Sequence, residues 1–109
     1  MRSYIAVPSD GRSEGDPVSE RFARASYFLL FDEEGTLQQV IENKAKEAGH
    51  GAGGRAVQEL SRQGVSVVLA PRVGPKAQGA LDAAGIKFSE VTLPITCERA
   101  VREYIKQRS

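Results

Sequence analysis

A chain of 109 residues is long enough for one hydrophobic core and too short for two. Hydrophobic residues make up 40% of it and charged residues 27%, the balance of a soluble globular domain. Fifteen basic against fourteen acidic side chains leave a net charge of +1, which argues against a nucleic-acid partner, because such binders carry a clear basic excess.

In chain order, the first expected element is a strand over residues 4–7, "YIAV". Residues 8–24 follow as a long, polar, glycine-bearing loop. "YFLLF" (Tyr27–Phe31) and, further on, "VSVVLA" (Val65–Ala70) are apolar at consecutive positions, as strands through the middle of a sheet are. "LQQVIE" (Leu37–Glu42) is polar enough for an exposed edge, and Gly35 in "DEEGT" marks a turn that makes it a hairpin partner of Tyr27–Phe31. A second long glycine-rich loop covers 43–54.

Three helices complete the pattern. "GGRAVQELSRQG" places Ala56, Val57 and Leu60 on one face and stops at Gly64. "GPKAQGALDAAG" has Pro75 at a first helical position and Gly85 after its end. "TCERAVREYIKQRS" starts from Thr96 as N-cap and turns Cys97, Val101, Tyr104 and Ile105 inward. A short strand over 86–91 lies between the last two helices. The order β-β-β-α-β-α-β-α means a mixed sheet with helices on its faces, within a single α/β domain spanning 1–109.

Loops beyond about twelve residues in a compact domain are commonly functional, so chemistry is sought in the two long ones. Arg21 and Arg24 flank Phe22 just before the second strand and form a candidate anion clamp, since guanidinium groups offer several donors at once. "GHGAGG" opens the first helix, where Gly53 and Gly54 let a ligand approach free backbone N–H groups. Gly74 in "RVGPK" offers the same past the carboxyl end of a strand. His50, the single histidine, is a candidate metal ligand or proton-transfer group. Against these stand bland alternatives: solvated arginines, a flexible tether, a tight turn.

Cys97, the single cysteine, excludes an internal disulfide and a Cys-based zinc pattern. Its place on an apolar stripe makes it a small buried hydrophobe rather than a thiolate ligand. A catalytic triad lacks a partner for His50, and metal-dependent nuclease chemistry lacks carboxylates on the strands, so no enzyme is expected. The N-terminal segment has no signal-peptide core and no run approaches membrane-spanning length, so a cytoplasmic location without membrane contact is expected.

Taken together, "VSERFARASYFLLFD", "IEN" with its glycine-rich loop, "GVSVVLAPRVGPKAQGAL" and "AGIKF" resemble the dinitrogenase iron–molybdenum cofactor biosynthesis family, the nitrogenase accessory factor-like domains. The resemblance runs from "YIAVPSD" to "TCERAVREYI". It implies a three-layer α/β/α fold with a mixed five-stranded sheet of ribonuclease H-like topology. It also implies non-enzymatic binding or carriage of an iron–sulfur or molybdenum-containing cluster, loosely held and exchanged with a donor or acceptor protein by a monomer or weak homo-oligomer. Where relatives commonly have His-Phe-Gly-Arg, this chain has Arg21-Phe22-Ala23-Arg24. Arg21, Phe22, Arg24, His50, Gly53, Gly54 and Gly74 would then hold the cluster, without direct thiolate ligation. The alternative is an interaction module of the same fold that has lost cluster binding and docks through Leu37–Glu42 or the final helix.

Overall fold

The computed structural model describes residues 3–108. Five strands form one sheet: β1 (Tyr4–Ser9), β2 (Tyr27–Phe31), β3 (Leu37–Glu42), β4 (Val65–Ala70) and β5 (Lys87–Glu90). Three helices accompany them: α1 (Ala52–Arg62), α2 (Pro75–Ala84) and α3 (Cys97–Arg108). The spatial order is β3-β2-β1-β4-β5. β1 pairs antiparallel with β2, and β2 with β3, while β4 lies parallel to both β1 and β5. The three apolar runs therefore occupy the centre, and the alternating "LQQVIE" strand sits on an edge, as its pattern requires.

Alternation along the strands splits the core in two. Ala6, Phe28, Leu30 and Val68 face α1 and α2, burying Val57, Leu60 and Leu81. Ile5, Val7, Leu29 and Leu69 face α3, burying Cys97, Val101 and Tyr104. Each fully buried Leu or Phe contributes roughly 1.5–3 kcal/mol, so these two layers carry the fold.

β1 continues two residues beyond the expected "YIAV", through Pro8 to Ser9. Its registered pairing with β4 ends at Ala6 opposite Val68, so the donor that Pro8 lacks is not needed on that side. The Pro8 carbonyl accepts from Ser19 N–H at 2.8 Å. The helix ends follow the sequence cues: Gly64 and Gly85 take positive φ values of 88° and 73°, and Pro75 begins α2. One element went unforeseen, a 3-10 turn at Lys44–Glu47.

Candidate functional site

Strand directions gather both long loops at one end of the sheet. β1, β4 and β5 finish there, β2 begins there, β3 finishes there, and α1, α2 and α3 all start there. Each helix start carries a partial positive charge of about half a unit and N–H groups without intrahelical acceptors.

The three starts differ. At α3 the loop 10–19 folds back over the helix: Cys97 N–H donates to the Asp16 carbonyl at 2.9 Å and Glu98 N–H to the Glu14 carbonyl at 2.8 Å. Arg99 N–H donates to Thr96 Oγ1 at 3.2 Å, the N-cap expected from sequence. That start is closed. α1 begins after Gly51 (φ 75°) and α2 after Gly74, and neither has a side-chain cap. The first-turn N–H groups of both helices therefore have no side-chain cap among the described residues. The two open starts touch: a Cβ on Gly53 would lie 2.9 Å from Ala77 Cβ. Close approach of α1 to α2 is thus what Gly53 permits, beside the backbone access read from sequence.

The two long loops are stitched together next to these starts. Asn43, 4% exposed, donates through Nδ2 to the Ala23 and Ala25 carbonyls at 3.0 and 2.9 Å. Its Oδ1 accepts from Ala45 N–H at 3.1 Å, capping the 3-10 turn. Arg24 Nη1 donates to the Lys46 carbonyl and, at 2.9 Å, to the Ala48 carbonyl. Arg24 is therefore a staple holding the segment that leads to His50, and that nitrogen is not free for an anion. Phe22, 2% exposed with its ring 5.3 Å from that of Phe28, is a core anchor rather than a pocket wall. Asn43 was quoted above only within "IEN". Its sequence signal is an Asn two residues before a backbone donor at a turn, a short-range pattern easily read as plain loop.

Arg21 is exposed, and its guanidinium pairs with no carboxylate among the described residues. His50 is exposed on the stapled segment, two residues beyond Ala48. No group of three or more His, Cys, Asp or Glu side chains that could hold a metal ion occurs among the described residues, so a chelate around His50 is not formed. Gly54 lines an open groove of about 930 Å³ between α1 and α2, whereas Arg21, Arg24 and His50 lie outside it. Instead of one enclosed cavity, the predicted residues share an open end of the molecule.

Sequence reasoning passed over two further cations at that end, Arg72 and Lys76, which bracket Gly74. Both are exposed and neither forms an ion pair among the described residues. By contrast, Arg62, Arg99, Arg102 and Arg108 are all paired with glutamates on or beside α1 and α3. Arg72 and Lys76 thus add unpaired charge beside the open start of α2. Glu20 and Glu47 share this end, so the positive field is local to the open starts and not a property of the whole surface. Cys97 is fully buried, and burial pushes its thiol up to about 11 against a hydrogen bond with Ser9 that acts the other way. It stays protonated near neutral pH and is a core side chain, as expected.

Comparison with known proteins adds to this geometry. The apo form of the orange protein from Desulfovibrio gigas superposes with a TM-score of 0.91 at 35% identity, over 96% of this chain and 88% of that one. A NifB-like protein from Thermotoga superposes with a TM-score of 0.83 at 37% identity, over 99% of this chain and 90% of that one. An uncharacterised protein of Methanocaldococcus jannaschii, MJ0580, is 29% identical over 85 residues, covering 75% of this chain and 69% of the relative. Residues 1–107 match the sequence pattern of one family throughout, and the chain belongs to the dinitrogenase iron-molybdenum cofactor family.

Proposed function

We propose that the protein is a non-enzymatic carrier that binds an anionic iron–sulfur or molybdenum-containing cluster, or its precursor, at the open end of its sheet. The observation that carries this reading is the pair of uncapped, touching helix starts of α1 and α2. Their free N–H groups and aligned dipoles favour a bulky anion, and Arg21, Arg72 and Lys76 add unpaired positive charge beside them. Family membership links the chain to iron–molybdenum cofactor biosynthesis. The strand order β3-β2-β1-β4-β5 supports a ribonuclease H-like topology for the scaffold.

With the thiol buried and no chelating side-chain cluster among the described residues, the guest is held by charge and hydrogen bonds, with His50 as at most a supplementary ligand. Such binding is reversible, which suits hand-over between a cluster donor and an acceptor protein. A cytoplasmic site of action belongs to the same proposal; no helix among the described residues is long and apolar enough to cross a membrane.

The test is anaerobic reconstitution with iron, molybdate and sulfide, followed by desalting and metal analysis. A coloured, metal-bearing protein is expected, with loading lowered by combining Arg21→Ala, Arg72→Ala and Lys76→Ala. Protein that emerges colourless and metal-free, under conditions where a relative takes up cluster, overturns the proposal. The edge strand β3 favours a second reading, an interaction module: Val40 on it is 38% exposed. A single stoichiometric partner, retained when Arg21→Ala and Arg24→Ala are combined, would support that reading instead.

A further inference from the structure

α1 does not reach across to the outer strand, and between it and β3 the structure leaves a cleft of about 450 Å³. We propose that this cleft binds a small organic anion: a flat apolar body carrying one carboxylate, sulfonate or phosphate group. Its volume falls in the range of about 300–1,000 Å³ typical of small-molecule pockets. None of the residues assigned above to cluster binding lines it, so the proposal stands apart from the carrier reading.

The chemistry of the lining selects the ligand. Phe28, Ile41, Ala45 and Ala56 supply an apolar floor. The polar atoms of Asn43, also at the floor, are spent within the protein, Nδ2 on the Ala23 and Ala25 carbonyls and Oδ1 on Ala45 N–H. The floor therefore asks for no polar partner and accepts an apolar ring without loss.

Charge at the mouth decides the sign. Glu59 is engaged by Arg62 at 3.3 Å and by Gln63 Nε2 at 2.8 Å. Glu42 forms no ion pair among the described residues, and Arg12, a cation outside the cleft, has its guanidinium 5.1 Å from the Tyr27 ring centre. Lys44 and Arg55, both exposed and in no ion pair among the described residues, add two cations beside an apolar floor where Glu42 is the one unpaired carboxylate of the lining. A charge beside such a wall acts more strongly than in open water, and charge-assisted hydrogen bonds from it are the stronger kind. The lining carries Lys44, Arg55 and Arg62 against Glu42 and Glu59, so the balance of charge favours an anion over a cation.

The probe is 8-anilinonaphthalene-1-sulfonate, an aromatic anion, titrated into the full, metal-free chain and followed by amide NMR shifts and fluorescence. Saturable one-to-one binding is expected, with shifts centred on Phe28, Ile41, Ala45 and Ala56. Combining Lys44→Ala with Arg55→Ala should weaken it by about tenfold, and neutral N-phenyl-1-naphthylamine should bind the wild type weaker by a similar factor. Both replaced side chains are exposed, so the variant should keep its amide dispersion; if it does not, Lys44→Gln with Arg55→Gln serves in its place. Failure to saturate below about 1 mM, shifts centred on the α1–α2 groove or on α3, or an affinity indifferent to loss of both cations would each overturn the proposal. No metal enters this experiment, so its failure leaves the cluster proposal untouched.

Discussion

The starts of α3 and of the α1–α2 pair lie at the same end of one sheet and carry the same dipole, yet the chain treats them in opposite ways. Over α3 it lays its own loop, and the Asp16 and Glu14 carbonyls take the first N–H groups. Over α1 and α2 it leaves glycine at the cap, and glycine has no side chain with which to accept. Capping is therefore within this chain's reach, and two starts go without it. A glycine cap costs on the order of a few tenths of a kcal/mol, and on the carrier reading proposed above these uncapped starts are where the anion would sit.

The largest expected effect tests whether the two sides are independent. Asn43→Ala removes two donors from buried carbonyls and the cap of the 3-10 turn at once. It should lower stability by about 2–3 kcal/mol, read as a urea midpoint, because those carbonyls are left without partners. Hydrogen exchange should quicken around Lys44–Glu47 while Val18 N–H, bound to the Ile95 carbonyl at 2.9 Å, keeps its protection. Equal loss at both places would mean that the end of the molecule is one cooperative unit, and the contrast drawn above would fail.

Next in size is the spacing of the open starts. Gly53→Ala brings a Cβ to 2.9 Å from Ala77 Cβ, closer than carbon atoms pack. Overpacking costs about 1–3 kcal/mol, and the gain in helix propensity returns up to about 1 kcal/mol, so a net loss near 1 kcal/mol is expected. Ala77→Gly removes the opposing atom. The double variant should then recover most of the packing loss, a coupling on the order of 1 kcal/mol in a double-mutant cycle. Strict additivity would show that α1 and α2 do not rely on this contact.

Much of the scaffold is legible in the sequence, because its signals are local. The consecutive apolar runs, the edge character of Leu37–Glu42, Pro75 at a helix start and Gly85 at a helix end each follow from one stretch of chain. What escaped depends on residues distant in sequence. Arg24 reads as a free cation until the Lys46 and Ala48 carbonyls arrive from 22 and 24 residues away. Phe22 beside two arginines reads as pocket lining until Phe28 folds against it. Gly53 reads as ligand access alone until Ala77 is beside it and close helix packing is added to its role. Conversely Arg72 and Lys76 were in plain view, and only the three-dimensional placement of Gly74 at an uncapped helix start gives them a role.

The closed start makes its own prediction through Cys97. Burial raises its thiol from an ordinary 9.0 to about 11, so the folded state favours the neutral form. The associated stability is fully present below about pH 9 and erodes as pH climbs towards about 11. Cys97→Ala should flatten that alkaline decline in urea midpoints. In the wild type, thiol reagents near neutral pH should act no faster than the protein opens, since the group is both covered and protonated. Rapid labelling of native protein would show the α3 start to be as open as the other two.

The smallest effect comes from the opposite end, and it calibrates the rest. In the turn between β2 and β3 the Asp32 carboxylate accepts from Thr36 and Glu34 N–H, each at 2.9 Å, and from Gln38 Nε2 at 2.9 Å. Those bonds, the one from Thr36 foremost, hold its pKa below the usual 3.8. A depressed carboxylate contributes stability above its unfolded value, and that contribution is lost as pH falls through the folded one. Asp32→Asn should therefore lower the neutral-pH midpoint slightly and, by the same amount, make the decline below about pH 3.8 shallower. It should not alter metal loading, because the turn lies a full strand length from the open helix starts. A change in loading here would mean that reconstitution reports overall stability rather than the site, and loading losses in the Arg21, Arg72 and Lys76 variants would then have to be judged against their own urea midpoints.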